Sequence, residues 1–202
     1  MQKKIVVHMY LKNGKAVTGF DGKELLEDGD VMSIAQHYSN NGADELLIFD
    51  LSDDDADHEQ SLNLIRQISR VIDIPMSGGG HIKNLEDVKK LLYAGCQQVF
   101  LNYAKAANIE LTEEVSKRFG KEKIAICTDS FAQLQANKAR VNEYTSRVIL
   151  LCDEVDVRTT ARLVEVPVLP VSTRADRHGL LKLLMLDNIC GCLLYTSDAA
   201  DE

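Results

Sequence analysis

The chain has 202 residues, a formal net charge of -8, and 45% hydrophobic against 27% charged residues, which suits one soluble domain, or one domain cut short, with ample apolar content for a core. The acidic balance excludes non-specific nucleic-acid binding, which needs a basic footprint, but not an anionic small ligand held by a few backbone amides. The opening "MQKK" and the lack of any long apolar run predict neither signal peptide nor membrane span, and hence a cytoplasmic protein.

Taken in chain order, "KIVVHMY" (4–10) predicts a buried strand, followed by a polar turn and a second extended piece reaching Gly19. His8 alternates within that strand as a packed residue. "DVMSIAQHYSNNG" predicts a helix closing on Gly42, and "ELLIFD" (45–50) the next strand. The carboxylate run "DLSDDDADHE" (50–59) lacks the glycine and closing glutamate of a calcium loop and reads as a solvated loop. "HEQSLNLIRQISRVID" predicts a second helix and "IPMS" (74–77) a third buried strand.

Three glycines, Gly78, Gly79 and Gly80, then precede a helix beginning near Asn84 and closing on Gly95. Glycine lets a backbone approach a ligand and aim its N–H groups at a phosphate; the alternative is a flexible strand-to-helix turn. His81 reads as a surface residue at the helix start, with a phosphate contact as its alternative. "QVFLNY" (98–103) places Asn102 at the end of the following strand, where its amide would add a hydrogen bond to that phosphate.

The succession continues through "KIAICTD" (123–129), "RVILLCD" (147–153), "VPVLPVS" (166–172) and "ICGCLL" (189–194). Apolar strands alternating with amphipathic helices imply a parallel sheet with helices outside. Eight units predict an α/β fold, a small or incomplete (β/α)8 barrel; a doubly wound open sheet is the alternative. Five cysteines without CxxC spacing read as buried reduced thiols, and the histidines show no metal-ligand spacing, so neither metal nor cofactor is implied.

An internal repeat runs through this pattern. Pro75 lies opposite Pro167 at an offset of 92, and "KIVVHMY" lies over "KIAICTD" at an offset of 119. The chain thus reads as two four-unit halves, the second one shortened. The last eleven residues, "CLLYTSDAADE", resemble a translated sequencing adapter, so residues 1–191 are expected to form the barrel domain and 192–202 to be non-native.

"YLKNGKAVTG", "NNGADELLIFDLS", "IPMSGGGHIKNLEDVKKLLYAG" and "VFLN" resemble the histidine-biosynthesis barrels: the cyclase subunit of imidazole glycerol phosphate synthase and its sister ribotide isomerase. The match is good from about residue 4 to 130. The resemblance implies a barrel of two half-barrels acting on a bis-phosphorylated aminoimidazole carboxamide ribotide, one phosphate per half. It implies a general base at the end of the first strand and a general acid at the end of the fifth, here Asp129. It further implies Asp50 as a supporting carboxylate and Gly79, Gly80 and Asn102 at the first phosphate site. A glutaminase subunit is an implied partner.

The departures are specific. Tyr10 stands where the base is implied, and the repeat pairs Tyr10 with Asp129. A phenol with a pKa near 10 is a poor base at neutral pH. It is expected to fill space, its hydroxyl bonded to Asp129 or Asp50, with a ligand contact as the alternative. Thr18 stands at a lysine position and Cys152 at a polar one. Pro170, Val171 and Ser172 lie opposite Gly78, Gly79 and Gly80, so the second phosphate loop is expected to be lost. Two readings stay open: an active cyclase (a lyase) or isomerase, or a ligand-binding barrel with impaired or no cyclase activity. The second resembles fusions in which a decayed barrel precedes phosphoribosyl-AMP cyclohydrolase and phosphoribosyl-ATP pyrophosphatase domains.

Overall fold

Strands and helices alternate throughout the described residues, 3–26, 29–151, 154–171 and 184–194 of a computed structural model. β1 (Lys4–Lys12) turns through Asn13 and Gly14, both at positive φ, into the antiparallel β2 (Lys15–Val17). Then follow α1 (Val31–Asn40), β3 (Glu45–Asp50), α2 (Asp55–Ile68), β4 (Met76–Gly79), α3 (Leu85–Tyr93) and β5 (Gln98–Asn102). The chain continues through α4 (Ala106–Phe119), β6 (Ile124–Thr128), α5 (Phe131–Ala136), α6 (Lys138–Tyr144) and β7 (Arg147–Leu151). α7 (Glu154–Leu163), β8 (Val168–Val171) and β9 (Gly191–Leu194) complete it. The fold class is α/β, the strand–helix succession of a small (β/α)8 barrel. Among the described residues no helix is long and apolar enough to cross a membrane.

Two compact units emerge, residues 7–99 and residues 1–6 with 100–202, with boundaries inside β1 and β5. The second boundary falls one strand earlier than the repeat implies, since most of β5, the fourth strand of the expected first half, joins the second unit. Within the first, strand order is β2-β1-β3-β4, and within the second β5-β6-β7-β8. Neither order reverses, as a doubly wound sheet would at its switch point.

In the first unit, every residue of β3 is buried, which is why "ELLIFD" carries no polar alternation. α1 is capped by Asp30, whose side chain accepts from Met32 N–H, and it buries Val31, Ile34, Ala35 and Tyr38. α3 begins with a reciprocal capping box between Asn84 and Asp87. Both helices end before a glycine at positive φ, Gly42 at 88° and Gly95 at 116°.

In the second unit, Tyr103, Ile126, Leu134, Val148, Val157 and Val168 belong to one buried cluster. Burying each such side chain contributes roughly 1.5–3 kcal/mol. Lys4 N–H donates to the Cys190 carbonyl (3.1 Å), and Lys3 Nζ donates to Leu186 and Ile189 carbonyls (2.7 and 2.5 Å).

Strand register supports the internal repeat. β3 and β4 run parallel with Leu46 opposite Met76, and β7 and β8 run parallel with Val148 opposite Val168. Leu46 N–H donates to Pro75 O (3.0 Å), and Val148 N–H to Pro167 O (2.9 Å). The paired prolines therefore play one role in both halves. Register also moves the third buried strand, expected at 74–77, to Met76–Gly79, where Gly78 and Gly79 pair with Ile48 and Phe49. Two of the three glycines are thus sheet residues.

Candidate functional site

Alternation along β1 puts His8 and Tyr10 on one face. Phe49 of β3 and Phe20 of the β2–α1 loop join them. Ring centroids lie 4.9 Å apart for His8–Tyr10, 4.8 Å for Tyr10–Phe20, 5.2 Å for Tyr10–Phe49 and 5.3 Å for Phe20–Phe49. Three of these pairs meet edge to face, an arrangement worth about 0.5–1.5 kcal/mol beyond burial. Tyr10 is 2% exposed and Phe20 48%, so the cluster closes over the end of β1 with Phe20 outermost. Burial lowers the His8 ring to about 4, which keeps it neutral in this apolar setting. Thr18 lies in the same loop, its N–H donating to Glu24 O (2.9 Å).

Asp50 ends β3 on the opposite face from Phe49, toward α2. Its Oδ1 accepts from the Ser52 N–H (3.1 Å) and the Ser52 hydroxyl, and its Oδ2 accepts from His58 Nδ1 (2.5 Å). Both side chains of the Asp50–His58 pair are buried, at 1% and 3% exposure. This carboxylate ties the β3–α2 loop to the first turn of α2. The acidic run after it is consumed locally: Asp53 pairs with Lys12 (3.1 Å), Asp54 caps α2 by accepting from Asp57 N–H, and Asp55 pairs with Lys83 (2.5 Å).

The glycines divide into separate roles. A Cβ on Gly78 would stand 2.8 Å from Cys96 Sγ and 3.3 Å from Leu91 Cδ2, so this position is glycine because a helix packs on it. Gly80 has φ 108°, and a Cβ there would stand 2.8 Å from the Asp50 carbonyl carbon and 2.9 Å from its nitrogen. It is glycine both for its conformation and for its approach to the β3 backbone. His81 follows at φ 50°, its Nδ1 3.0 Å from Ser52 O and its Nε2 2.8 Å from Asp55 Oδ1. His58 stacks on it with centroids 4.8 Å apart. His81 is thus a built-in residue with an 8% exposed side chain rather than a free surface group.

In the second unit Asn102 ends β5 exposed. Its Oδ1 accepts from Ala104 N–H (2.9 Å) and its carbonyl from Asn108 Nδ2 (3.1 Å), so its own amide donors stay unspent among the described residues. Asp129 directly follows β6 and is exposed, ahead of Ser130, which caps α5 by accepting from Gln133 N–H. Asn102 and Asp129 therefore stand at C-terminal strand ends, the side of a barrel that carries chemistry. Pro170 and Val171 are strand residues, paired with Leu150 and Leu151. Pro170 and Val171 match Gly78 and Gly79, themselves sheet residues, so the expected loss of a second phosphate loop turns on Ser172. Ser172 and Cys152 lie outside the described residues.

His58, Ser52 and Phe20 are site-building residues that sequence reasoning passed over. The one signal for them was a histidine eight positions after Asp50, which reaches back from the first turn of a helix.

Residues 4–187 match the family described as "Histidine biosynthesis protein". The chain is 33% identical over 130 residues to the imidazole glycerol phosphate synthase subunit HisF of Flavobacterium psychrophilum, covering 64% of this chain and 52% of that protein. It is 32% identical over 162 residues to the subunit of the same name from Haemophilus influenzae, covering 79% and 60%. Against the Helicobacter hepaticus subunit the figures are 34% over 132 residues, 64% and 51%. The chain thus spans about half the length of the curated relatives it matches.

Proposed function

The chain belongs to the histidine biosynthesis protein family, and from that premise we propose that it binds a phosphorylated aminoimidazole carboxamide-type ribotide without efficient cyclase turnover. The observation that carries this reading is Tyr10. At the strand end where the resemblance implies a carboxylate base, a phenol is buried in an aromatic cluster with His8, Phe20 and Phe49. A neutral phenol packed among rings has neither the charge nor the ordinary pKa to take a proton at neutral pH.

Binding is assigned to the parts that remain. In the first unit the reading assigns anion binding to the Gly79–Gly80 backbone; in the second it assigns an amide donor to Asn102 and the acid position after β6 to Asp129. Asp50 serves as a buried anchor of the β3–α2 loop. No cofactor or metal enters this scheme. A glutaminase subunit is the partner the resemblance brings, and a fused downstream histidine-pathway domain is the setting in which a non-turning barrel would persist.

Purified chain is titrated with the bis-phosphorylated ribotide and assayed with ammonia. Binding without product supports the proposal. Gain of turnover in Tyr10→Asp would assign the deficit to that position alone, whereas turnover by the unaltered chain favours the active cyclase or isomerase, for which the retained Asp129 speaks.

A further inference from the structure

A chain of buried polar groups in the second unit ends on one exposed residue, Asn102. The Asn102 carbonyl accepts from Lys105 N–H (3.1 Å), which closes a β-turn over residues 102–105 after β5. Inside that turn Asn102 Oδ1 accepts from Ala104 N–H (2.9 Å). A backbone N–H can only donate, so the carboxamide oxygen is the end engaged by the turn and the NH2 group is the end left for an acceptor.

Asn108 holds the same turn from the helix side. It is the third residue of α4, whose N-cap, Lys105, makes no side-chain capping bond. Asn108 Nδ2 instead reaches back to donate to the Asn102 carbonyl (3.1 Å), and the Asn108 side of this bond is 3% exposed. The Thr112 hydroxyl donates to the Asn108 carbonyl (2.8 Å), so it accepts from the Tyr103 hydroxyl 3.0 Å away. Tyr103 and Thr112 are fully buried, and Tyr103 N–H donates to Cys127 O (2.9 Å), which ties the turn to β6.

We infer that Asn108 is a positioning residue: it fixes the Asn102 turn from below, so that the Asn102 amide meets a ligand phosphate already oriented as a donor. The inference rests on the proposed reading of Asn102 as an amide donor. Ordering a free side chain on binding weakens affinity about two- to tenfold, and here that ordering is complete once the chain has folded.

The test titrates the bis-phosphorylated ribotide into the full chain in four forms: unaltered, Asn102→Ala, Asn108→Ala and the double variant. Asn108→Ala should weaken binding about two- to tenfold when Asn102 is present and not at all in the Asn102→Ala background. Its loss of stability in urea should be equal in both, because the Asn102 carbonyl it bonds is retained. Equal weakening of binding in both backgrounds, or no weakening in either, would overturn the inference and leave the Asn102 reading standing. Unchanged binding in Asn102→Ala would overturn that reading and the inference with it, and no binding by the unaltered chain would overturn the proposed function as well. Should Asn108→Ala not fold, 15N relaxation of the unaltered chain decides: an Asn102 side-chain amide order parameter near the rigid backbone value of about 0.85 is expected, and one below about 0.6 would overturn the inference.

Discussion

Replacing Gly80 by alanine should destabilise the chain by about 2–6 kcal/mol, and the structure separates two sources for this. A residue with a side chain at φ 108° is held in a sparsely populated conformation at a cost of about 1–3 kcal/mol. The added Cβ would also stand 2.8 Å from the Asp50 carbonyl carbon, a backbone atom anchored by the Ser52 and His58 bonds to its own side chain. Relieving such overpacking costs about 1–3 kcal/mol more. Urea unfolding should show a large drop in midpoint with an unchanged slope. Gly78→Ala is the contrast. Its Cβ would meet Cys96 Sγ at 2.8 Å, so it should cost about 1–3 kcal/mol and recover most of that in the Gly78→Ala/Cys96→Ala double variant. A Gly80→Ala midpoint equal to wild type would refute the reasoning, because the loop backbone could not then lie against β3 as described.

Three further outcomes follow from burial and pairing. Asp50→Ala should cost about 1–3 kcal/mol in denaturant unfolding, since it strands the buried His58 Nδ1–H; Asp50→Asn should cost less. His8 is lowered to about 4 by burial, so its unfolded form binds protons first on acidification. Its contribution is fully present above about pH 6.5 and is lost as pH falls toward 4, by about 3 kcal/mol, a decline that His8→Leu should remove from the stability-against-pH curve. Burial pushes the Cys96 thiol up to about 12 and raises Cys127 as well. Both should resist iodoacetamide in the native chain and react once it is unfolded in urea.

Much of this architecture was legible in residues. Gly42 and Gly95 marked two helix ends because only a left-handed residue closes those turns cheaply. Pro75 and Pro167 marked the repeat because each precedes a strand and offers its carbonyl to a neighbouring one. The β1–β2 hairpin was also written in the chain, as Asn13-Gly14 between extended runs, the signature of a two-residue turn. α2 starts at Asp55, three residues before the expected His58, because Asp54 caps it within a run that composition alone reads as loop. The glycine run was harder to divide. Nothing local distinguishes Gly78, which makes room for Cys96, from Gly80, which needs its φ; that distinction is set by register with β3 and by packing of α3. The Asp50–His58–His81 assembly depends on a strand end, a helix turn and a loop meeting, which no spacing rule encodes. The ring cluster around Tyr10 likewise depends on Phe20 folding back from its loop.

The most direct measurement is a single-turnover assay of the chain with the bis-phosphorylated ribotide and excess ammonia, run beside a binding titration on the same sample. Saturable binding with no imidazole glycerol phosphate formed is the predicted result. Product formation by the unaltered chain, with Tyr10 in place, would contradict it.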